Sequence, residues 1–335
     1  GIGESLPEGL ETLRLDFRHA CHLTDGGVGA LSKCIPRSLL ELSLKVALCQ
    51  RVSCQGIEEL AKGLPETLRT ISLDFSSCKR VDDDALELLG RHLPVGLRRF
   101  SVNMSGCRAV GNSGVRILFS AQLPLESLVL VVDKCDALSD EGLGGVAGVL
   151  PKTVREFTLS CRGCRLIGDA GVASLCGGLA EGPDLSKLCV DLAGCGGSIV
   201  RGRRGKTNTG DAGESSDADF AGVGDRGVQA IGGLLRAGLQ HFSLSVAGCT
   251  AVSDCCLESL TEGLLKARAP PASALPRRLE LSLHFKDCHA VTSHALRSYQ
   301  HKLAGDKAAK LLCPLHFDTK TLGGSIALRR AEVAI

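Results

Sequence analysis

The chain has 335 residues, 44% of them hydrophobic, and its 39 basic and 37 acidic side chains leave a net charge of +2. So even a balance excludes the one-sided basic field of a dedicated nucleic-acid or membrane-surface binder. No apolar run approaches the roughly 18 residues that a membrane-spanning helix needs.

In chain order, residues 1–9 come first. Ile2, Leu6 and Pro7 match Leu89, Leu93 and Pro94, so the opening is expected to be the end of a repeat helix within a longer polypeptide. From Leu10 onward one pattern recurs: Leu68…Ile71-x-Leu73-x-Phe75-x-x-Cys78-x-x-Val81-x-Asp83-x-x-Leu86-x-x-Leu89. The alternation Ile71, Leu73, Phe75 puts three side chains on one face of a short strand, and Leu13/Leu15/Phe17, Phe157/Leu159/Cys161 and Phe242/Leu244/Val246 repeat it. After the cysteine the period changes. Val81, Leu86, Leu89 and Leu93 have helical spacing, and Pro94 stops the helix. Asp25, Asp83, Asp140, Asp169, Asp225 and Asp254 occupy one slot at the predicted helix start and are expected to be N-caps. Gly27, Gly114, Gly142, Gly171 and Gly227 follow two residues later and leave room for a close approach.

The slot cysteines are Cys49, Cys78, Cys107, Cys135, Cys164, Cys195, Cys249 and Cys288, with spacings of 28 to 31 across the first six. Ala20 takes the slot in the first unit. A fixed period of this length marks a solenoid, in which each unit buries its apolar face against its neighbours. Eight cysteines in one slot read as a buried, reduced ladder bonded to loop backbone, and the odd total of 17 argues against a disulfide framework. The expected location is therefore an intracellular, reducing compartment, with the cytoplasm first and an organelle open if an N-terminal segment has been removed.

The pattern resembles the leucine-rich repeat family, of the cysteine-containing and ribonuclease-inhibitor-like kinds with 28–29-residue repeats. Cys135-Asp136-Ala137-Leu138-Ser139-Asp140-Glu141-Gly142-Leu143 carries the first likeness and the repeat length the second. One departure is that the cysteine falls five residues after the second strand leucine rather than three, so the strand is expected to be two residues longer. The resemblance covers roughly residues 6–300. It implies an α/β fold: a right-handed solenoid or horseshoe with a parallel sheet on the concave face and helices on the convex face. The expected organisation is a remnant of a preceding repeat over 1–9, a solenoid of about nine repeats over 10–299, and a C-terminal cap over 300–335. Leu315-His316-Phe317 is expected to form a last strand and 326–333 a closing helix. Two insertions interrupt the solenoid: 196–222, rich in Gly, Ser and Asp, and 267–276, with three prolines.

Chemistry-bearing motifs have simpler structural readings. Gly205-Lys206-Thr207 lacks the first glycine of a phosphate-binding loop, because Val200 stands there. In Cys161-Arg162-Gly163-Cys164, one cysteine fills the strand slot and the other the ladder slot. His284, Cys288, His289, His294, Cys313 and His316 have the types of a zinc site, but Cys288 belongs to the ladder and His284 to the opposite strand face. No cofactor, metal or catalytic residue is assigned. By the resemblance, the concave face is the binding surface, and strand parity gives its candidates: Arg14, Asp16, Arg18, Lys45, Asp74, Asn103, Asp133, Arg162, Asp191, His284 and Lys286. Arg201, Arg203, Arg204 and Lys206 in the first insertion are candidate loop contacts. The function expected is a non-enzymatic protein–protein interaction scaffold, or an accessory subunit of a larger assembly. Its partners are proteins, with no nucleic acid and no direct membrane insertion. The alternatives are the substrate-recognition part of an F-box-type ubiquitin ligase and a small-GTPase regulator.

Overall fold

The computed structural model describes residues 6–118, 123–196, 222–235, 239–267 and 280–305, together with 316–317 and 328–329. Nine five-residue strands form one parallel sheet in sequence order: β1 (Thr12–Asp16), β2 (Glu41–Lys45), β3 (Thr70–Asp74), β4 (Arg99–Asn103), β5 (Ser127–Val131), β6 (Glu156–Ser160), β7 (Lys187–Asp191), β8 (His241–Ser245) and β9 (Glu280–His284). A helix follows each strand: α1 (Asp25–Lys33), α2 (Cys54–Lys62), α3 (Asp83–Arg91), α4 (Asn112–Leu118), α5 (Asp140–Val149), α6 (Asp169–Glu181), α7 (Asp225–Gly233), α8 (Cys255–Ala267) and α9 (Ser293–Gly305). Neighbouring strands sit about 4.8 Å apart, whereas packed helices need about 8–10 Å. The coil must therefore splay on its helix side, which leaves the sheet lining the concave face. The architecture is the α/β solenoid expected from the repeat.

The register is unbroken, and it stacks like on like. One inward row runs Leu13, Leu42, Ile71, Phe100, Leu128, Phe157, Leu188, Phe242, Leu281. Phe75, Phe100, Phe157 and Phe242 are fully buried and form the bulkiest part of a single continuous core. The sheet ladder also outlasts the strands proper, since Phe75 N donates to Asn103 O at 2.8 Å and Ser77 N to Ser105 O at 2.6 Å. This is the longer strand that the displaced cysteine implied. Helices end at prolines whose carbonyls close the return turn, as where Leu68 N donates to Pro65 O at 3.1 Å.

Each ladder thiol is buried and donates to a carbonyl of the preceding turn: Cys78 Sγ to Val46 O at 3.2 Å, Cys107 to Phe75 O at 3.2 Å, Cys164 to Val132 O at 3.1 Å and Cys249 to Leu192 O at 3.2 Å. All sixteen described cysteines are unbridged. The residue before each slot adopts a left-handed backbone, from His19 and Leu48 through Ser77, Gly106, Lys134, Gly163, Gly194 and Gly248 to Asp287. His19 has the same turn before Ala20, so the first unit is in register with the rest.

The expected N-caps need correction. Asp25, Asp83, Asp140, Asp169 and Asp225 are the first residues of their helices, one place inside the cap. Their carboxylates reach forward to the next repeat. Asp25 Oδ1 accepts from Ser53 N at 2.7 Å and Gly56 N at 3.1 Å, Asp83 from Gly111 N at 2.7 Å, and Asp140 from Gly168 N at 2.7 Å. Asp169 accepts from Gly224 N at 2.7 Å and Gly227 N at 2.9 Å, across the first insertion. Asp254, placed one turn residue before α8, reaches Thr292 N at 2.6 Å. The carboxylate thus satisfies the open N–H groups of the neighbouring helix start rather than its own. This explains the glycines, because a Cβ on Gly56, Gly114, Gly142, Gly171 or Gly227 would overlap the side-chain oxygen arriving from the preceding repeat. Repeat three is the exception that fits. In repeat two Cys54 stands where the Asp should be, so in repeat three Asp82 caps its own helix through Ala85 N at 3.2 Å and the glycine is replaced by Ala85.

At the C-terminal end β10 (His316–Phe317) pairs antiparallel with β11 (Leu328–Arg329). The expected last strand is present. The expected closing helix over 326–333 is not: its described residues, 328 and 329, are extended. β11 lies beside β9, and an open sheet edge offers unpaired backbone groups that favour extended chain.

Candidate functional site

The strand face is built from three outward rows set by strand parity. The middle row runs Arg14, Ser43, Ser72, Ser101, Val129, Thr158, Cys189, Ser243, Ser282 in continuous register. Apart from Arg14, these are short side chains, so the centre of the sheet is a flush strip. The row towards the strand N-termini carries charges, among them Glu41, Arg99, Glu156, Lys187 and Glu280. The row towards the C-termini runs Asp16, Lys45, Asp74, Asn103, Val131, Ser160, Asp191, Ser245, His284.

The candidate residues therefore fall into two groups. Asp16, Lys45, Asp74, Asn103, Asp191 and His284 share the C-terminal row, and Arg14 lies in the middle one. Arg18, Asp133, Arg162 and Lys286 follow the strand ends. Several acceptors are already engaged. Asp74 Oδ1 accepts from Ser76 N at 3.0 Å, Asn103 Oδ1 from Ser105 N at 3.0 Å, and Asp191 Oδ1 from Ala193 N at 3.1 Å. These side chains hold the turn after their own strand. Asp133 Oδ1 bridges sideways to Ser160 Oγ at 2.6 Å and Arg162 N at 2.8 Å, and Arg162 Nε stands 3.6 Å from Asp191 Oδ2. Arg14 pairs with Glu41 at 2.8 Å. Arg18 pairs with Asp16 at 2.7 Å, and its hydrogen bonds hold the Asp16 carboxyl below the usual carboxylate range. All are solvent-facing pairs that contribute little stability but fix the orientation of the side chains. Lys45 and Lys286 are exposed. Arg201, Arg203, Arg204 and Lys206 lie outside the described residues.

Two features were not among the candidates. Cys189 is a half-buried thiol in the middle row, its pKa raised mainly by burial. The second lies past the strand C-termini, where a groove of about 840 Å³ follows the turns before and after the ladder cysteines. Lys79, Arg108, Lys134 and Arg165 line it with one carboxylate, Asp136. The signal in the sequence was the residue just after the cysteine, basic at Lys79, Arg108 and Arg165.

Ser282 Oγ lies 2.9 Å from His284 Nε2, but among the described residues no carboxylate stands within 4.0 Å of that imidazole to orient it. Cys288 donates its thiol to Val246 O at 3.1 Å inside the core, while His284 faces outward, so the two diverge. Among the described residues no group of three metal-ligating side chains converges. Nor is any helix there long and apolar enough to cross a membrane.

No protein-family model matches the chain, and no curated protein does either. Solved structures do. The leucine-rich repeat-containing protein LegL7 from Legionella pneumophila is 14% identical, with 91% of this chain and 93% of that one covered and a TM-score of 0.42. A yeast Rad7–Elc1 complex matches at 15% identity over 84% of this chain and 78% of that one, with a TM-score of 0.37. The tropomodulin C-terminal domain of Caenorhabditis elegans matches at 14% over 42% and 83%, with a TM-score of 0.32. Similarity this distant carries no function across, and the assignment rests on the chain's own geometry. Nine parallel strands in unbroken register, a buried cysteine at the same turn of eight units and a helix after every strand give this chain an α/β solenoid fold of the leucine-rich-repeat kind.

Proposed function

We propose that the chain is a non-enzymatic scaffold that binds another protein across its strand face, from a reducing compartment. The observation that supports it most is the flush middle row, Ser43 to Ser282, in register over eight strands. At about 4.8 Å per strand the strip is roughly 35 Å long, ample for a protein surface and featureless for a small substrate. The polar rows on either side are held by their own hydrogen bonds and ion pairs, so little side-chain entropy is lost when a partner docks. The unbridged cysteine ladder supports the reducing compartment.

The test uses the full-length protein, purified natively under reducing conditions, with co-purifying proteins identified by mass spectrometry. A variant with Ser72→Arg and Ser101→Arg, which raises two bulky groups from the strip, is treated in parallel. A stoichiometric partner lost in the variant, whose thermal melt is unchanged, is the expected result. A partner retained in full by the variant would move binding off the strand face.

A further inference from the structure

The groove along the strand C-termini has a chemistry of its own. Its floor is the row of left-handed residues before the ladder cysteines, and Gly106, Gly163 and Gly194 there have φ of 74°, 67° and 68°. Glycine suits that backbone and brings no side chain, which is why a trench exists. Its walls carry Lys79, Arg108, Lys134 and Arg165 on successive repeats, all exposed. Arg108 Nε lies 3.4 Å from Asp136 Oδ2. Among the described residues Lys79, Lys134 and Arg165 have no carboxylate within 4.0 Å, so three cations face solvent unpaired. On a chain with a net charge of only +2, such clustering is local.

The backbone decides which kind of anion fits. Left-handed turns often offer a nest of N–H groups to a compact phosphate. Here those donors are already engaged: Ser77 N donates to Ser105 O at 2.6 Å, Gly106 N to Asp133 O at 2.7 Å, Lys134 N to Arg162 O at 2.8 Å and Gly163 N to Ala193 O at 2.8 Å. Only side-chain cations remain, spread over three repeat spacings, or roughly 15 Å. A single phosphate cannot span them. Single-stranded nucleic acid binds through aromatic stacking platforms, and the groove has no aromatic side chain. An extended peptide places alternate side chains on one side about 7 Å apart, so two or three carboxylates match the row.

We infer that this groove is a docking site for an extended acidic segment of a protein partner, with Lys79, Lys134 and Arg165 as its carboxylate contacts. The inference deepens the scaffold reading and rests on it, adding a second contact surface next to the strand face.

The probe is a fluorescein-labelled peptide of about eight residues alternating Glu and Ser, long enough at roughly 3.3 Å per residue to cover the row. Binding to the full chain is read by anisotropy at low salt. Lys79→Glu with Arg165→Glu is expected to weaken it by about tenfold or more, and raising the salt several-fold should do the same. The neutral pair Lys79→Gln with Arg165→Gln should give an intermediate loss, which guards against misfolding of the reversed variant. Arg116→Glu on α4 is the charge control and should leave affinity unchanged. Affinity within about twofold of wild type in the reversed variant would overturn the proposal. So would displacement of the peptide by inorganic phosphate or by a uridine oligonucleotide at lower concentration than by the unlabelled peptide. The Ser72→Arg/Ser101→Arg variant should keep peptide affinity. Partner capture retained by that variant, with peptide binding intact, would count against the strand face alone, and peptide binding lost only in that variant would overturn the groove.

Discussion

The forward-reaching carboxylate makes a double-mutant prediction whose sign depends on the neighbour. Gly227 is the third residue of α7, where alanine would ordinarily favour the helix by about 0.8–1 kcal/mol. A Cβ there would lie 2.7 Å from Asp169 Oδ1, while its other close neighbours are at ordinary contact, Val172 at 3.4 Å and Val223 at 3.5 Å. Gly227→Ala must push the carboxylate away. That breaks the bond from Gly227 N and strains the one from Gly224 N. Hydrogen bonds to a charged group contribute about 1.5–3 kcal/mol each, so the net cost should be about 1–3 kcal/mol after the helix gain. Asp169→Ala alone leaves both N–H groups without that acceptor and should cost about 2–4 kcal/mol. In the Asp169→Ala background the clash is gone, and adding Gly227→Ala should stabilise by about 0.5–1 kcal/mol. The assay is urea unfolding followed by circular dichroism, with hydrogen exchange of the α7 amides as the local readout, because repeat arrays can depart from two-state behaviour. Gly227→Ala costing the same in both backgrounds would refute the staple.

Further expectations concern the ladder and its turns. Burial pushes the Cys78, Cys164 and Cys249 thiols up to about 11 and Cys107 to about 12, against a value of 9.0 when free. The fold holds the neutral thiol, so this stability is complete below pH 9 and is lost as the pH rises towards 11–12, which a pH series of urea midpoints would detect. In native protein at neutral pH a maleimide should label the exposed Cys21 and Cys255 and spare the ladder; ready labelling of Cys107 would contradict its burial. Cys107→Asp places a carboxylate where only Phe75 O waits and should cost several kcal/mol, visible as a collapsed thermal transition. Leu48, at φ 64° and 40% exposed, holds a strained left-handed backbone that glycine takes freely, so Leu48→Gly should raise stability by about 0.5–1 kcal/mol.

Repeat length, strand parity and the ladder were legible because each is a periodic constraint, and burial of the slot cysteines follows from the period itself. The role of the aspartates was not, because an Asp at a helix start suits a cap on its own helix as well as a bond across the gap. The sequence held a discriminating clue: Cys54 replaces the Asp in one repeat, and in the next the glycine becomes Ala85. A self-cap gives no reason for those two changes to travel together. The basic groove was missed for a geometric reason. Strand parity describes a flat face, whereas Lys79, Arg108 and Arg165 sit past a left-handed turn, where alternation no longer tells which way a side chain points.

The thiol and aspartate interlocks between turns run one way. Every ladder thiol looks back for its acceptor, as Cys107 does to Phe75 O, and every staple aspartate holds an acceptor ready for the turn that follows, as Asp83 does for Gly111 N. A nascent chain leaving the ribosome would present each new coil to a finished predecessor already bearing both docking points. The Asp169 staple shows the same logic at its longest reach in sequence, holding Gly224 N across a separation of 55 residues.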